Sequence, residues 1–356
     1  MDKVRFAVIT DIHYGPDAGA KYGSKSAKLL DVFTKAAAGY GLDCIVDMGD
    51  RVTAHSHDEA VKNMQDVKAQ FNKVAVPTYS VIGNHDLLHM TREENEQVMG
   101  SPGTSYSRDV KGYHFVFFNP PLDLSHNGLH MTQEELDWLE KDLASTDKPT
   151  IVFSHVPLDN DEADNKSGRA ASKSDRLYFF YPEGPQVREI MEKSGKVIMA
   201  MAGHRHTNRY REINGIHYIT QQSLVQAYEK HYRKPHRAWS VIELDDDKIT
   251  VKLKGRAPMR LQGSMTKKFT LVPRTSPKFV PKQIPDSAPE GMDAWVPPND
   301  DMPEADVAKP AGSAPIVVPE SILPKPGSEP KAIDTIPAQP EEIPAPATPK
   351  PPEPSL

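Results

Sequence analysis

Short apolar runs, each ending at a polar residue, constrain the fold of this chain more than any other feature. Val4–Thr10, Asp43–Met48 and Val76–Ile82 are the first three runs, and each has the length of a strand. Runs without polar alternation are typical of strands buried on both faces of a parallel sheet. Three further runs of this kind follow: Tyr113–Asn119, Thr150–Ser154 and Lys196–Met201.

Segments with helical spacing separate most of these runs, at about 24–38, 58–71, 132–143 and 186–193. Strand alternating with helix predicts a largely parallel sheet covered by helices. After Gly203 the pattern changes to short strands joined by turn residues, at Tyr210–Ile213, Ile216–Gln221, Ala238–Glu243 and Lys248–Lys254. We therefore expect an α/β core followed by an antiparallel set of strands.

The composition changes near Pro273. From there to the end lie 22 of the 33 prolines, and acidic residues outnumber basic ones by 13 to 7. We predict a folded domain over residues 1–264 and a Pro-rich, acidic, largely disordered tail over residues 265–356. PxxP spacings in Pro346–Pro352 leave open a second interpretation, a docking site for a protein partner that binds proline-rich segments.

Several classes of protein are excluded by composition. No apolar stretch approaches the ~20 residues of a membrane span, and the lone Cys44 rules out an internal disulfide or a Cys-based zinc site. Residues 1–272 carry no net charge and no basic run, so we expect no nucleic-acid binding. Nothing before Val4 resembles a secretory leader, which predicts a cytoplasmic protein.

Metal-ligating side chains follow five of the predicted strands. Because the carboxyl ends of parallel strands line one crevice, these side chains are expected to meet there. The residues concerned are Asp11, His13, Asp50, Asn84, His155, His204 and His206.

Imidazoles, carboxylates and an amide, without a thiolate, suit manganese, iron or zinc. Seven ligands are too many for one tetrahedral ion, but they suit two ions that share a carboxylate. The sequence therefore predicts a binuclear metal site.

These motifs together resemble the calcineurin-like metallophosphoesterases. The resemblance covers about 200 residues and rests on Asp11-Ile12-His13, Gly49-Asp50, Gly83-Asn84-His85-Asp86, His155 and Gly203-His204-Arg205-His206. It implies an α/β fold, a four-layer αββα sandwich of two mixed β-sheets flanked by helices. Thr53 departs from the family pattern, which often has Asp or Asn three residues after the bridging aspartate.

The resemblance also implies a role for each ligand. The first ion is held by Asp11, His13 and His206. The second is held by Asn84, His155 and His204, and Asp50 bridges the two. The implied reaction is in-line attack on phosphorus by a metal-bridging hydroxide. His85 either protonates the leaving oxygen as general acid or donates a hydrogen bond to a phosphoryl oxygen, and Asp86 orients His85.

The implied activity is hydrolysis of a small phosphoester, most similar to that of bacterial phosphodiesterases of the cyclic-nucleotide and glycerophosphodiester kind. A phosphomonoesterase is the first alternative, since Arg51, Arg169 or Arg176 could neutralise the additional phosphate charge. The competing interpretation of Arg51 is an ion pair, either on the surface or just behind the metal ligands. The long polar loop 158–184 is a candidate cap over the substrate.

A scaffold that has lost catalysis is the second alternative. Scaffolds of this fold lack one or more ligands or the general acid, whereas all seven ligands and His85 are present here. The native substrate and the oligomeric state do not follow from the sequence.

Overall fold

The computed structural model describes residues 3–122, 129–159, 179–227, 234–245, 248–256, 259–264 and 270–271. The helices of this part are α1 (Ser26–Ala38), α2 (His57–Phe71), α3 (Arg92–Met99), α4 (Gln133–Ala144) and α5 (Gly184–Ser194). The strands are β1 (Val4–Ile9), β2 (Cys44–Asp47), β3 (Thr78–Ser80), β4 (Tyr106–Val110), β5 (Tyr113–Phe117), β6 (Thr150–Phe153), β7 (Val197–Ala202), β8 (Arg209–Ile213), β9 (Ile216–Thr220), β10 (Trp239–Asp245), β11 (Lys248–Lys254), β12 (Met259–Ser264) and β13 (Thr270–Leu271).

The strands form two mixed sheets. The first has the order β13-β12-β11-β10-β1-β2-β3, with β1, β2 and β3 parallel and the remaining pairs antiparallel. The second has the order β4-β5-β6-β7-β9-β8, in which β5, β6, β7 and β9 are parallel. The late strands therefore do not form a sheet of their own, because β10 joins β1 and β9 joins β7.

Alternate residues of β1 show how the layers are stacked. Phe6 and Val8 are fully buried between the two sheets, in a cluster that also holds Phe115 and Phe153 of the second sheet. Ala7 and Ile9 face the other way and pack against side chains of α1 and α2, among them Leu30, Phe33, Met64 and Val67. The second sheet is covered by α4 and α5 in the same manner, through Val116, Val152, Leu139 and Val187. These contacts confirm the predicted αββα sandwich.

Four of these helices and strands were not predicted: α3, β4, β12 and β13. Helix α3 buries only Asn95 and Met99, so it lacks the apolar spacing that reveals a helix in a sequence. Its signal lies at its ends instead. Thr91 and Glu94 form a capping box at the start, and Gly100 ends the helix in the left-handed conformation.

The first sheet continues past the domain boundary predicted at residue 264, because β13 pairs with β12. The predicted tail otherwise lies outside the described residues, so its disorder and its binding to a protein partner stay predictions. The cellular compartment stays a prediction as well. Within the described ranges, no helix is long and apolar enough to cross a membrane.

Candidate active site

The predicted ligands meet at the carboxyl ends of strands from both sheets. Asp11 and Asp50 follow β1 and β2 of the first sheet, whereas His155 and His204 follow β6 and β7 of the second. Backbone hydrogen bonds join the loops of the first sheet: Asp11 N–H donates to Gly49 O and His13 N–H donates to Asp50 O, both at 2.9 Å. Parallel pairing of neighbouring strands therefore delivers the side chains to one crevice.

The first cluster consists of Asp11, His13, Asp50 and His206, whose ligand atoms lie within 4.8 Å of one another. His206 Nε2 is 2.9 Å from Asp11 Oδ1 and 3.2 Å from His13 Nε2. His13 Nε2 is in turn 3.7 Å from Asp50 Oδ2. At these separations the four side chains could hold one metal ion together.

The second cluster consists of Asp50, His155 and His204. His155 Nε2 lies 3.2 Å from His204 Nδ1, 3.2 Å from Asn84 Oδ1 and 3.4 Å from Asp50 Oδ1. Asp50 thus turns one carboxylate oxygen to each cluster. All seven predicted ligands are brought together in the division that the resemblance implies.

The backbone of the ligand loops is strained. Asp11, His13, Asp50, His204 and His206 all have a positive φ, between 45° and 62°. Residues other than glycine adopt this region at a cost of about 1–3 kcal/mol each, and such residues cluster at functional sites. Of the eight non-glycine residues with a positive φ in the described part of the chain, five are therefore predicted ligands.

Two glycines allow the ligand loops to approach closely. A Cβ on Gly83 would lie 2.1 Å from the backbone nitrogen of Asp50. A Cβ on Gly203 would lie 2.1 Å from Thr10 Oγ1 and 2.5 Å from Asp11 Oδ2. No side chain fits at either position, so the glycines of these motifs are required by packing against the ligands.

Three ligand histidines have a hydrogen-bond partner on the ring nitrogen that faces away from the cluster. The Nδ1 atoms of His13, His155 and His206 lie 3.2 Å from Thr53 Oγ1, 2.8 Å from Met48 O and 3.0 Å from Gln226 Oε1. A hydrogen on Nδ1 leaves the Nε2 lone pair for a cation. Thr53 therefore makes a contact despite its departure from the family pattern. Gln226 was missed, since no motif includes it.

The charges of the site also suit cations. Burial disfavours the ionised form of Asp11, but His206 outweighs this and lowers the pKa of Asp11 to about 2. Burial likewise disfavours the imidazolium of His155, but Asp50 outweighs this and raises its pKa to about 9. The proton held by His155 thus balances the negative charge of the buried carboxylates, and a bound cation would replace that proton. The donor set fits two ions.

Asp86 is not placed as expected, because its described hydrogen bonds do not include His85. Its carboxylate accepts from the backbone N–H groups of Gly83, Asp50 and Arg51, at 2.9, 3.1 and 2.8 Å. With the backbone N–H of Val52 at 3.4 Å and the guanidinium of Arg51, five donors converge on it. Asp86 holds the two loops that carry Asp50 and Asn84 rather than the ring of His85.

Arg51 lies inside the protein, where only 1% of its surface is exposed. Its guanidinium donates to Asp47 at 2.5 Å, to Asp86 at 2.8 Å and to Val81 O at 2.6 Å. All three guanidinium nitrogens donate to groups inside the protein, so the geometry corrects the expected phosphate contact and favours the ion-pair interpretation. Arg169 and Arg176 lie outside the described residues, as does most of the candidate cap loop.

His85 lies at the edge of the first cluster, with its ring perpendicular to that of His13 at 4.8 Å between centroids. Its backbone N–H donates to Asp50 Oδ1 at 2.8 Å. Its Nε2 is 3.1 Å from Nζ of Lys21, a residue that sequence reasoning missed because it belongs to no motif. Burial lowers the pKa of His85, Asp50 opposes the shift, and Lys21 adds to it.

The fold and the two clusters define a binuclear metal-dependent hydrolase. The sequence profile described as calcineurin-like phosphoesterase matches residues 4–208, more than half of the chain. The chain therefore belongs to the calcineurin-like phosphoesterase family, which confirms the predicted family and its class of reaction, the hydrolysis of phosphoric esters.

Individual relatives agree with this assignment. The manganese-dependent ADP-ribose/CDP-alcohol diphosphatase of Homo sapiens is 22% identical over 281 residues, covering 61% of this chain and 77% of that protein. The protein of the same name from Arabidopsis thaliana is 22% identical over 305 residues, covering 69% of this chain and 92% of its own length. A dimetal phosphatase from Danio rerio has the same fold, with a TM-score of 0.59, 16% identity and coverage of 74% of this chain and 99% of its own.

Proposed function

We propose that this protein hydrolyses phosphodiester-type bonds at the two-cluster site, with manganese as the ion. The observation that carries the proposal is that Asp50 turns one oxygen to each cluster while His85 stands beside the first. Asp11, His13 and His206 would hold one ion. Asn84, His155 and His204 would hold the other.

The side chains have separate tasks in the reaction. Two ions bound here would supply Lewis acidity and a water of lowered pKa. Asp86 keeps the Asp50 and Asn84 loops together, and Asp50 fixes the backbone of His85 through the 2.8 Å hydrogen bond. His85 then presents Nε2 to the leaving oxygen and donates a proton there.

The named relatives support a narrower substrate class. They are manganese-dependent diphosphatases of ADP-ribose and CDP-alcohols, which are diesters that contain a diphosphate. We extend this class to the present chain. The monoesterase alternative loses the support of Arg51, whose guanidinium is used inside the protein.

The test is turnover by chelator-treated protein to which manganese, iron or zinc is returned. The substrates are ADP-ribose, bis(p-nitrophenyl) phosphate and p-nitrophenyl phosphate. The His85→Asn variant should lose about 10²–10⁴-fold in kcat, the usual range for a general acid. His57→Asn is the matched control, because His57 is exposed and pairs with Glu94.

Turnover of both diesters above the monoester, with manganese, would support the proposal. Preference for the monoester would establish the phosphatase alternative instead. Metal binding without turnover of any substrate would favour the scaffold alternative. Equal activity of wild type and His85→Asn would remove His85 from the reaction.

A further inference from the structure

Lys21 lies beside His85 at the candidate active site, and no motif accounts for it. Its Nζ lies 3.1 Å from His85 Nε2, the atom proposed to protonate the leaving oxygen. Burial lowers the pKa of Lys21, while Asp50 and Asp11 oppose that shift. The ammonium is therefore partly removed from water and close to the carboxylates of the metal clusters.

The backbone that carries Lys21 is held in place on two sides. Lys21 and Ala18 exchange two backbone hydrogen bonds of 2.9 Å, and Ala227 N–H donates to Ala20 O at 2.9 Å. Lys21 also forms an isolated bridge with Gln226, whose side chain contacts His206 Nδ1. The position of Lys21 is thus coupled to the support of the first cluster rather than left to a free loop.

Lys21 lacks a permanent anionic partner. Among the residues with described positions, no carboxylate lies within ion-pair distance of its Nζ. Two divalent ions would bring more positive charge than Asp11 and Asp50 can neutralise, so Lys21 would then face a cationic centre. An ammonium group in that position is stabilised only when the bound substrate brings additional negative charge.

The position of Lys21 relative to His85 indicates where that charge lies. A group that accepts a proton from His85 Nε2 is the leaving oxygen. In a single-phosphate diester this oxygen is attached to carbon. In a diphosphate it is attached to a second phosphorus, whose non-bridging oxygens lie one bond further on. A cation 3.1 Å from Nε2 is within reach of those oxygens.

We propose that Lys21 binds the leaving phosphate of a diphosphate ester and thereby makes the site selective for diphosphates over single-phosphate diesters. The inference rests on the proposed function. Hydrolysis adds water across the P–O–P linkage and gives two phosphate monoesters, one of which leaves with the proton from His85. Lys21 donates a hydrogen bond to a non-bridging oxygen of that leaving phosphate.

The experiment compares wild type, Lys21→Met, Lys21→Arg and Lys28→Met. Lys28 is exposed on the neighbouring helix α1 and serves as the matched control. Binding of α,β-methylene ADP and of inorganic phosphate to the manganese-loaded proteins is measured by calorimetry, with metal content determined afterwards. kcat/KM is measured separately for ADP-ribose and bis(p-nitrophenyl) phosphate.

Lys21→Met is expected to weaken α,β-methylene ADP and to lower kcat/KM for ADP-ribose by about 10–100-fold, the range for one charge-assisted hydrogen bond. Inorganic phosphate, bis(p-nitrophenyl) phosphate and metal content should change by less than about twofold, since they involve no leaving phosphate. Lys21→Arg should restore most of the lost affinity, and Lys28→Met should match wild type.

An equal loss for both substrates in kcat alone would overturn the inference, because Lys21 would then act through His85. Unchanged binding of α,β-methylene ADP would overturn it as well. The two proposals fail differently. Binding of α,β-methylene ADP that depends on Lys21, without turnover of any substrate, would support the contact of Lys21 with a diphosphate and remove the proposed function. Turnover of ADP-ribose that is unaffected by Lys21→Met would support the proposed function and remove the role of Lys21.

Discussion

Clusters of His and Asp occur at both ends of the second sheet, and only one of them is suited to metal. At the carboxyl end, His155 and His204 face Asn84 and Asp50. At the amino end, His114 of β5 lies between Asp109 and Asp142, at 2.8 and 3.0 Å. The residue types are the same, but the ring nitrogens are used differently.

Both ring nitrogens of His114 face carboxylates, which favour the imidazolium form. In that form both nitrogens carry hydrogen and no lone pair remains for a cation. At the carboxyl end, His155 donates Nδ1–H to the carbonyl of Met48 and turns Nε2 inward. The comparison shows that composition alone does not define a metal site. Each histidine has an acceptor at Nδ1, and the group at Nε2 distinguishes them: a second carboxylate for His114, but the atoms of the second cluster for His155.

The largest expected effect is that of Asp50→Asn, which removes the shared carboxylate. Both ions should be lost, and turnover should fall by more than about 10³-fold, because supporting contacts alone are worth ~10–100-fold. Metal content by mass spectrometry and kcat/KM are the measurements. Asp142→Asn at the amino end is the matched control and should keep both ions. Full metal content in Asp50→Asn would show that the shared carboxylate is not needed to hold the ions, and the contrast between the two ends of the second sheet would then fail.

Arg51→Met should cost about 3–5 kcal/mol in the free energy of unfolding, because it leaves the buried carboxylates of Asp47 and Asp86 without their cation. Lys148→Met at the amino end removes a cation from the half-exposed Asp109 and should cost less than about 1 kcal/mol. Urea unfolding measures both. Equal losses would mean that burial does not distinguish the two ends.

Gln226→Ala removes the acceptor behind His206 and should lower metal affinity at the first cluster by about 10–100-fold. The second cluster should keep its affinity, since the partner of His155 is a backbone carbonyl. Titration of manganese into chelator-treated protein distinguishes the two sites. Gln133→Ala on the exposed face of α4 is the control. A loss shared equally by both sites would contradict this assignment.

The smallest effect concerns His114 and pH. Burial lowers the pKa of His114, but Asp142 and Asp109 outweigh this and raise it above 6.5. The folded state therefore holds its proton more tightly than the unfolded state. The resulting stabilisation is present below about pH 6.5 and is lost as pH rises through the higher folded value. His114→Gln should remove about 1 kcal/mol of this pH-dependent stability, measured by urea unfolding at pH 5.5 and 8.5. An unchanged pH profile would exclude His114 as its source.

Much of the fold could be predicted because its signals are local. Apolar runs such as Val4–Ile9 need no distant partner to be recognised as buried strands, and all seven ligands follow such runs. Helix α3 was missed because it is mostly polar, and β4 because an edge strand with exposed residues has little apolar pattern. The assignment of β9 and β10 to different sheets also could not be predicted, since pairing depends on long-range contacts.

The sequence by itself therefore determined most of the strands, the residues that meet in the two clusters, and the family. Only the tertiary structure decided which side chains support those ligands. Gln226 reaches His206, Lys21 reaches His85, and Arg51 turns inward to Asp47 and Asp86. Motif residues are recognisable because their spacing follows from local strand geometry. Their supports are brought in from distant loops, and packing alone sets where those loops lie.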